Sequence, residues 1–169
     1  MPTPPTTTRR LIVLRHAKSE RYADVPTDHD RPLNPRGRAD APAMAARLGQ
    51  MGWQPEIVIS SDAQRTRQTW AGMAASFAPT VTVEFTRALY HAGTQAVRTA
   101  LTALPPTIQT AMVVGHNPGW EDVVYSLCGV RVRMTTCNAA LLTVEAPSWS
   151  EAVTQTAWTL DSLLRPKEL

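Results

Sequence analysis

A three-layer αβα sandwich with a mostly parallel central sheet is the fold this sequence predicts. Two observations predict it. Short apolar runs, "RLIVL", "EIVIS", "VTVEF" and "TAMVVG", recur along the 169 residues and are bounded by polar or turn-forming stretches, as buried strands are. Segments with helical start signals lie between them. Alternating strands and helices imply parallel pairing, with helices packed on both faces.

Each element follows in order. The leader, residues 1–9, is rich in Pro and Thr and has no apolar face, so it reads as disordered. The domain then runs over residues 10–169, and deleting Met1 to Thr8 is expected to leave stability nearly unchanged. "RLIVL", Arg10 to Leu14, is the first strand. A polar loop follows from Lys18 to Leu33. "NPRGRADAPAMAARLGQM" opens a helix with Asn34 as N-cap and Pro35 at its first position. Pro42 predicts a kink or a later start. Glu56 to Ser60 is the second strand, and Ser61 or Asp62 caps the next helix. "VTVEF" is the third strand, and a helix runs from about Thr94 to Leu104. "TAMVVG" is the fourth strand, and "GWEDVVYSLCG" is a helix that stops at Gly129. "AALLTVEA" reads as a strand, and "TAWTLDSLL" as a strand or a short helix. Trp53, Trp70, Trp120, Trp149 and Trp158 are placed in or near the core.

Composition excludes several classes. The 43% hydrophobic content is ordinary for a globular chain. The 17 basic and 14 acidic side chains leave a net charge of +3, scattered rather than striped, which argues against nucleic acid. No apolar run is long enough to span a bilayer, so no membrane partner is expected. The leader lacks the apolar core of a secretion signal. Cys128 and Cys137 lack metal or redox spacing and read as free thiols in a reducing cytoplasm. We expect a cytoplasmic monomer without cofactor. The four histidines show no metal-ligand spacing either.

Parallel sheets bind ligands beyond the carboxyl ends of their strands, and three such ends carry chemistry. The first strand ends in Arg15-His16. The second ends in "SSDAQRTRQT", which opens a helix bearing Arg65 and Arg67. The fourth ends in "GHNPG", which puts His116 and Asn117 at another helix start. Helix amino termini favour anions, and the planar guanidinium fork binds two oxygens of a phosphate at once. Singly, each pair reads as a surface loop or a satisfied core residue. Together, at one sheet edge, they describe a pocket for a doubly charged group, with phosphate the obvious candidate.

"LRHAKSE", "SSDAQRTRQT" and "VVGHNPG" resemble, in order and spacing, the signature blocks of the histidine phosphatase superfamily, whose fold is phosphoglycerate-mutase-like. "DRPLNPRG", "LYHAG" and the final "RPKEL" are similar to its short SixA-type phosphohistidine phosphatases, and the likeness extends from about Arg10 to the end. The resemblance implies that His16 is the nucleophile and forms a phosphohistidine that water hydrolyses. It implies that Arg15, Arg65 and His116 clamp the phosphoryl oxygens. Lys18 either contacts phosphate or an acidic substrate, or is a solvated loop lysine. Asn117 either donates to phosphate or caps the helix ahead of Pro118. Asp28, His29 and Asp30 line the pocket mouth, with Asp30 and Arg31 as a structural pair, and Ser60 and Ser61 cap the second helix. Two departures stand out. "RALYHAG" has no carboxylate where many members place a general acid, and Glu84 reads as an ordinary strand position. Tyr22 stands near the place of an asparagine that the larger family carries. Both argue against a mutase and against demanding alkyl phosphates, and the missing acid fits phosphohistidine, whose nitrogen leaves more easily. The resemblance thus implies a phosphorylated protein as substrate. A small phosphorylated metabolite is the alternative, and a non-catalytic phosphate-binding module is a third reading.

Overall fold

The computed structural model describes residues 2 and 5–169. Strands β1 (Thr7–Arg15), β2 (Ile57–Ser61), β3 (Thr82–Thr86), β4 (Thr110–Gly115), β5 (Ala139–Ala146) and β6 (Thr159–Leu164) form one sheet in the order β3-β2-β4-β1-β5-β6. The β3-β2, β2-β4 and β4-β1 pairs are parallel, and β1-β5 and β5-β6 are antiparallel. The sheet is therefore mixed and mostly parallel, as expected. "TAWTLDSLL" resolves as an edge strand.

Period-2 alternation feeds two cores. Leu11, Val13, Ile59, Ala111 and Val113 point to one face, against α3 (Thr94–Thr102), α4 (Gly119–Cys128) and α5 (Trp149–Ala152). Ile12, Leu14, Val58, Met112 and Val114 point to the other, against α1 (Pro35–Gln50) and α2 (Gln64–Met73). Both faces of the central strands are covered, so these strands read as continuous apolar runs rather than alternating ones. All five tryptophans are buried. Asn34 caps α1 as predicted, its Oδ1 accepting from Gly37 N at 2.9 Å. The helix then runs on through Pro42 to Gln50. Gly129 ends α4 in the left-handed region at φ 73°, where a side chain would be strained.

The leader needs correction. Thr7, Thr8 and Arg9 are not disordered: they extend β1 and pair with Ala146, Glu145 and Val144. The cause is Arg9, whose side chain is 1% exposed. Its guanidinium donates to the carbonyls of Ala146 (3.2 Å), Pro106 (2.6 Å), Ile108 (2.7 Å) and Pro147 (2.7 Å). With four of its five N–H donors engaged, it ties the start of β1 to the approach to β4 and the end of β5. Met1, Thr3 and Pro4 lie outside the described residues.

Candidate active site

The carboxyl ends of β1, β2 and β4 meet as predicted, because these three strands are neighbours in register. His16 N donates to Gly115 O at 3.0 Å, continuing the β1-β4 ladder one residue past Arg15. The ring centroids of His16 and His116 lie 5.2 Å apart. His16 is 6% exposed, Arg65 1% and His116 2%.

The sequence left the partner of His16 unnamed, and it is the adjacent carbonyl. Nδ1 lies 2.7 Å from Ala17 O. A carbonyl only accepts, so Nδ1 carries the hydrogen and Nε2 keeps a lone pair. Burial pushes the imidazole pKa down to about 3, against the raising effect of the Ala17 bond, and Arg65, Arg15 and Arg31 lower it further. His16 is neutral at pH 7. The Ala17 peptide is itself fixed: its N–H donates to Thr69 Oγ1 at 3.0 Å, and that hydroxyl donates to Arg65 O at 2.7 Å.

His116 is set by Ser61. Its Nε2 lies 2.8 Å from Ser61 Oγ, and that oxygen accepts from Ala63 N at 3.2 Å, leaving the hydroxyl hydrogen for the histidine. Ser61 thus joins β2 to the histidine after β4 as well as serving the turn into α2. Ser60 instead donates to Ser61 O at 2.8 Å, which corrects its reading as a cap. Burial pushes His116 down to about 2, with His16, Arg65 and His91 adding to the fall.

Arg15 is half-buried, and its Nη1 donates to Met134 O at 2.9 Å. Asn117 Nδ2 donates to the same carbonyl at 2.8 Å. That amide group buttresses the segment under Arg15. Lys18 is exposed, and what it gives the structure is its carbonyl, which accepts from Asn34 N at 2.9 Å. A side chain on Gly37 would collide with that Lys18 carbonyl, which accounts for the glycine of "DRPLNPRG". Both glycines of "GHNPG" also make room: a Cβ on Gly115 would meet the Trp120 ring, and one on Gly119 would meet Ala92 O.

The residue that sequence reasoning placed only at the pocket mouth is central. Asp28 Oδ2 accepts from Arg65 Nη2 (3.0 Å), Tyr90 OH (2.6 Å) and His91 Nε2 (3.0 Å). Asp28 O accepts from Arg65 Nη1 at 2.8 Å. Burial would raise its carboxyl. Hydrogen bonds from Tyr90, Arg31 and His91, with the charge of Arg65, overcome this and hold it far below the usual carboxylate range. Arg31 pairs with Asp28 (Nη2–Oδ1 2.9 Å), not with Asp30, which accepts from Thr27 Oγ1 at 2.7 Å. His29 donates to Asp62 at 2.7 Å and stands edge-on to Tyr90, ring centroids 4.8 Å apart. All four histidines thus belong to one connected cluster. The one available signal was "LYHAG", whose aromatic and imidazole follow the third strand. Glu84 is exposed and lines an apolar groove beside α3 with Ile59, Ala100 and Leu104. None of His16, Arg15, Arg65 or His116 lines that groove.

Among the described residues, six buried side-chain polar atoms have no hydrogen-bond partner in the protein. Four of them, Arg15 Nε, Arg65 Nε, His116 Nδ1 and Asn117 Oδ1, lie in this cluster. Folded proteins rarely leave buried polar atoms unmatched, and an exception calls for a ligand or a chemical role.

Comparison with known proteins supplies the class. Two solved structures assigned as the phosphohistidine phosphatase SixA are similar. The one from Agrobacterium tumefaciens is 27% identical, with a TM-score of 0.79 over 94% of this chain and 98% of that one. The one from Nakamurella multipartitia is 27% identical, with a TM-score of 0.82 over 96% and 98%. An uncharacterized chloroplastic protein of Arabidopsis thaliana is 39% identical over 171 residues, spanning 94% of this chain and 78% of that protein. The family profile of the histidine phosphatase superfamily (branch 1) matches residues 11–91. The fold and these matches define a hydrolase that removes phosphoryl groups. The chain belongs to the histidine phosphatase superfamily and is SixA-like. No helix among the described residues is long and apolar enough to cross a membrane.

Proposed function

We propose that the protein hydrolyses phosphohistidine on a partner protein through a phosphorylated His16. The observation that carries this reading is the cluster of unmatched polar atoms, the Arg15 and Arg65 Nε–H donors among them, around a neutral histidine whose Nε2 holds a lone pair. Nε2 attacks phosphorus. Arg15, Arg65 and His116 hold the equatorial oxygens, where phosphoryl transfer needs positioning and charge stabilisation above all. With the Ser61 hydroxyl donating to His116 Nε2, Nδ1 carries the hydrogen and becomes a donor to phosphate. Water then cleaves the phosphohistidine. Asn117 buttresses Arg15, and Lys18 stands at the rim, where an acidic protein surface would meet it.

Two features support a protein substrate. Asp28 is held ionised and is unsuited to protonate an alkoxide leaving group, whereas a phosphoramidate is released more easily. The site is open on one side, where Asp28 is 46% and His91 51% exposed. Free Cys128 and Cys137 fit a reducing cytoplasmic setting. The chloroplastic description belongs to the plant relative.

The test is hydrolysis of a phosphohistidine-carrying protein beside p-nitrophenyl phosphate, with wild type and His16→Ala. Rapid, His16-dependent loss of phosphohistidine with poor ester hydrolysis is the expected result. His16→Ala should lose at least about 10⁴-fold in turnover, the scale seen when a nucleophile is removed. Wild-type turnover in that variant would sink the mechanism. Fast ester hydrolysis with inert phosphohistidine would move the assignment to a metabolite phosphatase.

A further inference from the structure

We infer that His91 is the proton donor to the leaving group, held in place by Asp28; this rests on the phospho-His16 reading above. Three observations carry it. His91 Nε2 donates to Asp28 Oδ2 at 3.0 Å, and that same oxygen accepts from Arg65 Nη2 at 3.0 Å, so a single atom separates His91 from the clamp. The His91 ring lies 4.9 Å from the His116 ring, which in turn lies 5.2 Å from His16. The side chain is 51% exposed, at the mouth through which a leaving group must depart. The backbone adds a fourth: His91 sits at φ 50°, a conformation a non-glycine residue rarely adopts and one that recurs at functional sites.

The groups facing His91 are Asp28 from the turn after β1, Tyr90 beside it (ring centroids 4.2 Å) and His116 from the end of β4. With Nε2–H committed to a carboxylate, the donor form of His91 is the imidazolium, with a hydrogen on each ring nitrogen, and Nδ1 is the nitrogen that exchanges its proton with substrate. In the first half-reaction the His16 Nε2 lone pair forms the bond to phosphorus. The bond from phosphorus to the leaving atom breaks, its electron pair stays on that atom, and the His91 Nδ1 proton moves to it. In the second, water forms its bond to phosphorus, the bond to His16 breaks with its pair returning to Nε2, and the water proton goes to His91 Nδ1. Substrate and water give the protonated leaving group and phosphate, and both histidines are restored. Imidazole is the side chain most often used for general acid–base catalysis. His91 thus does the work for which "RALYHAG" offers no carboxylate, and it suits a phosphohistidine substrate.

The experiment compares phenyl phosphate, 2,4-dinitrophenyl phosphate and a phosphohistidine protein with wild type, His91→Gly and His91→Asn. Glycine suits the positive φ and opens a slot for added imidazole; asparagine tolerates that backbone and keeps a polar group. The expected loss grows with leaving-group basicity. It is about 10²-fold larger for phenyl than for dinitrophenyl phosphate, the size of a general-acid contribution. Added imidazole should recover part of the phenyl phosphate activity of His91→Gly. Equal loss on both esters, or no loss on phenyl phosphate, would overturn the assignment. Rapid-quench trapping of an acid-labile phosphoenzyme in wild type separates the two readings. Its absence with every substrate defeats the phospho-His16 mechanism. Its presence with a flat leaving-group dependence defeats only the role of His91.

Discussion

Arg9 and Arg65 are equally buried, each 1% exposed, at opposite ends of the strands: Arg9 near the amino end of β1, Arg65 in α2 beyond the carboxyl end of β2. Arg9 gives four hydrogen bonds to main-chain carbonyls, one in β5 (Ala146) and three in the segments just before β4 and just after β5. Arg65 gives its two terminal nitrogens to Asp28, a side chain 46% exposed, and its Nε has no partner in the protein. The first arginine is satisfied by structure; the second is only partly satisfied and sits beside three more unmatched atoms. Burial of a cation therefore does not distinguish a structural residue from a functional one. The state of its donors does.

Substitution should separate the two. Arg65→Ala is expected to lower kcat/KM by about 10²–10³-fold, the cost of one preorganised oxyanion donor, and to weaken vanadate binding measured by titration. Arg9→Ala should act on stability instead. Four carbonyls lose a donor at about 1 kcal/mol each, so a drop of roughly 3–4 kcal/mol is expected in urea melts, with kcat of the folded fraction preserved. A catalytic defect in Arg9→Ala with full stability would erase the distinction.

Acidity sharpens it further, because the functional end buries neutral imidazoles and the Arg9 end buries none. Free imidazole has a pKa near 6.5, while His16 is held at about 3 and His116 at about 2. Between those values the unfolded chain binds more protons, so stability rises with pH across that range. Their neutral burial costs nothing above about pH 6.5 and becomes destabilising as pH falls below it. The steepest slope is about 1.4 kcal/mol per pH unit for each histidine. Urea midpoints at pH 7.5 and 5.5 should show it, and His16→Gln should flatten it. The smallest effect concerns the leader. Removing residues 1–6 should cost less than about 0.5 kcal/mol, as for surface changes generally, while removal through Arg9 should approach the Arg9→Ala loss. Thermal melts of both truncations decide this.

Much of this was legible in the sequence. "RLIVL", "EIVIS" and "TAMVVG" announced buried strands because burial on both faces demands apolar residues at every position. Arg15, His16, Arg65 and His116 could be placed together because parallel strands share one functional edge. Other features were not legible, since they depend on pairing across long separations. Thr7 to Arg9 look like a polar tail until β5 and the carbonyls of Pro106 and Ile108 arrive beside them. Ser61 looks like a helix cap until His116 meets it from β4. Asp28 looks like one of several loop acids until Arg65, Tyr90 and His91 converge on one of its oxygens. Side chains whose meaning lies in their partners cannot be read from spacing alone.

The contact between Gly119 and Ala92 has a consequence for anyone redesigning this protein. With no room for even one methyl group, the segment carrying Tyr90 and His91 is keyed to the first turn of α4. The mouth of the site cannot be widened for a bulkier substrate by lengthening one loop while the other stays fixed. Both would have to shift as a single part, and specificity is therefore more readily re-engineered across the mouth, on the Lys18–Leu33 side, where Tyr22 stands almost wholly in solvent.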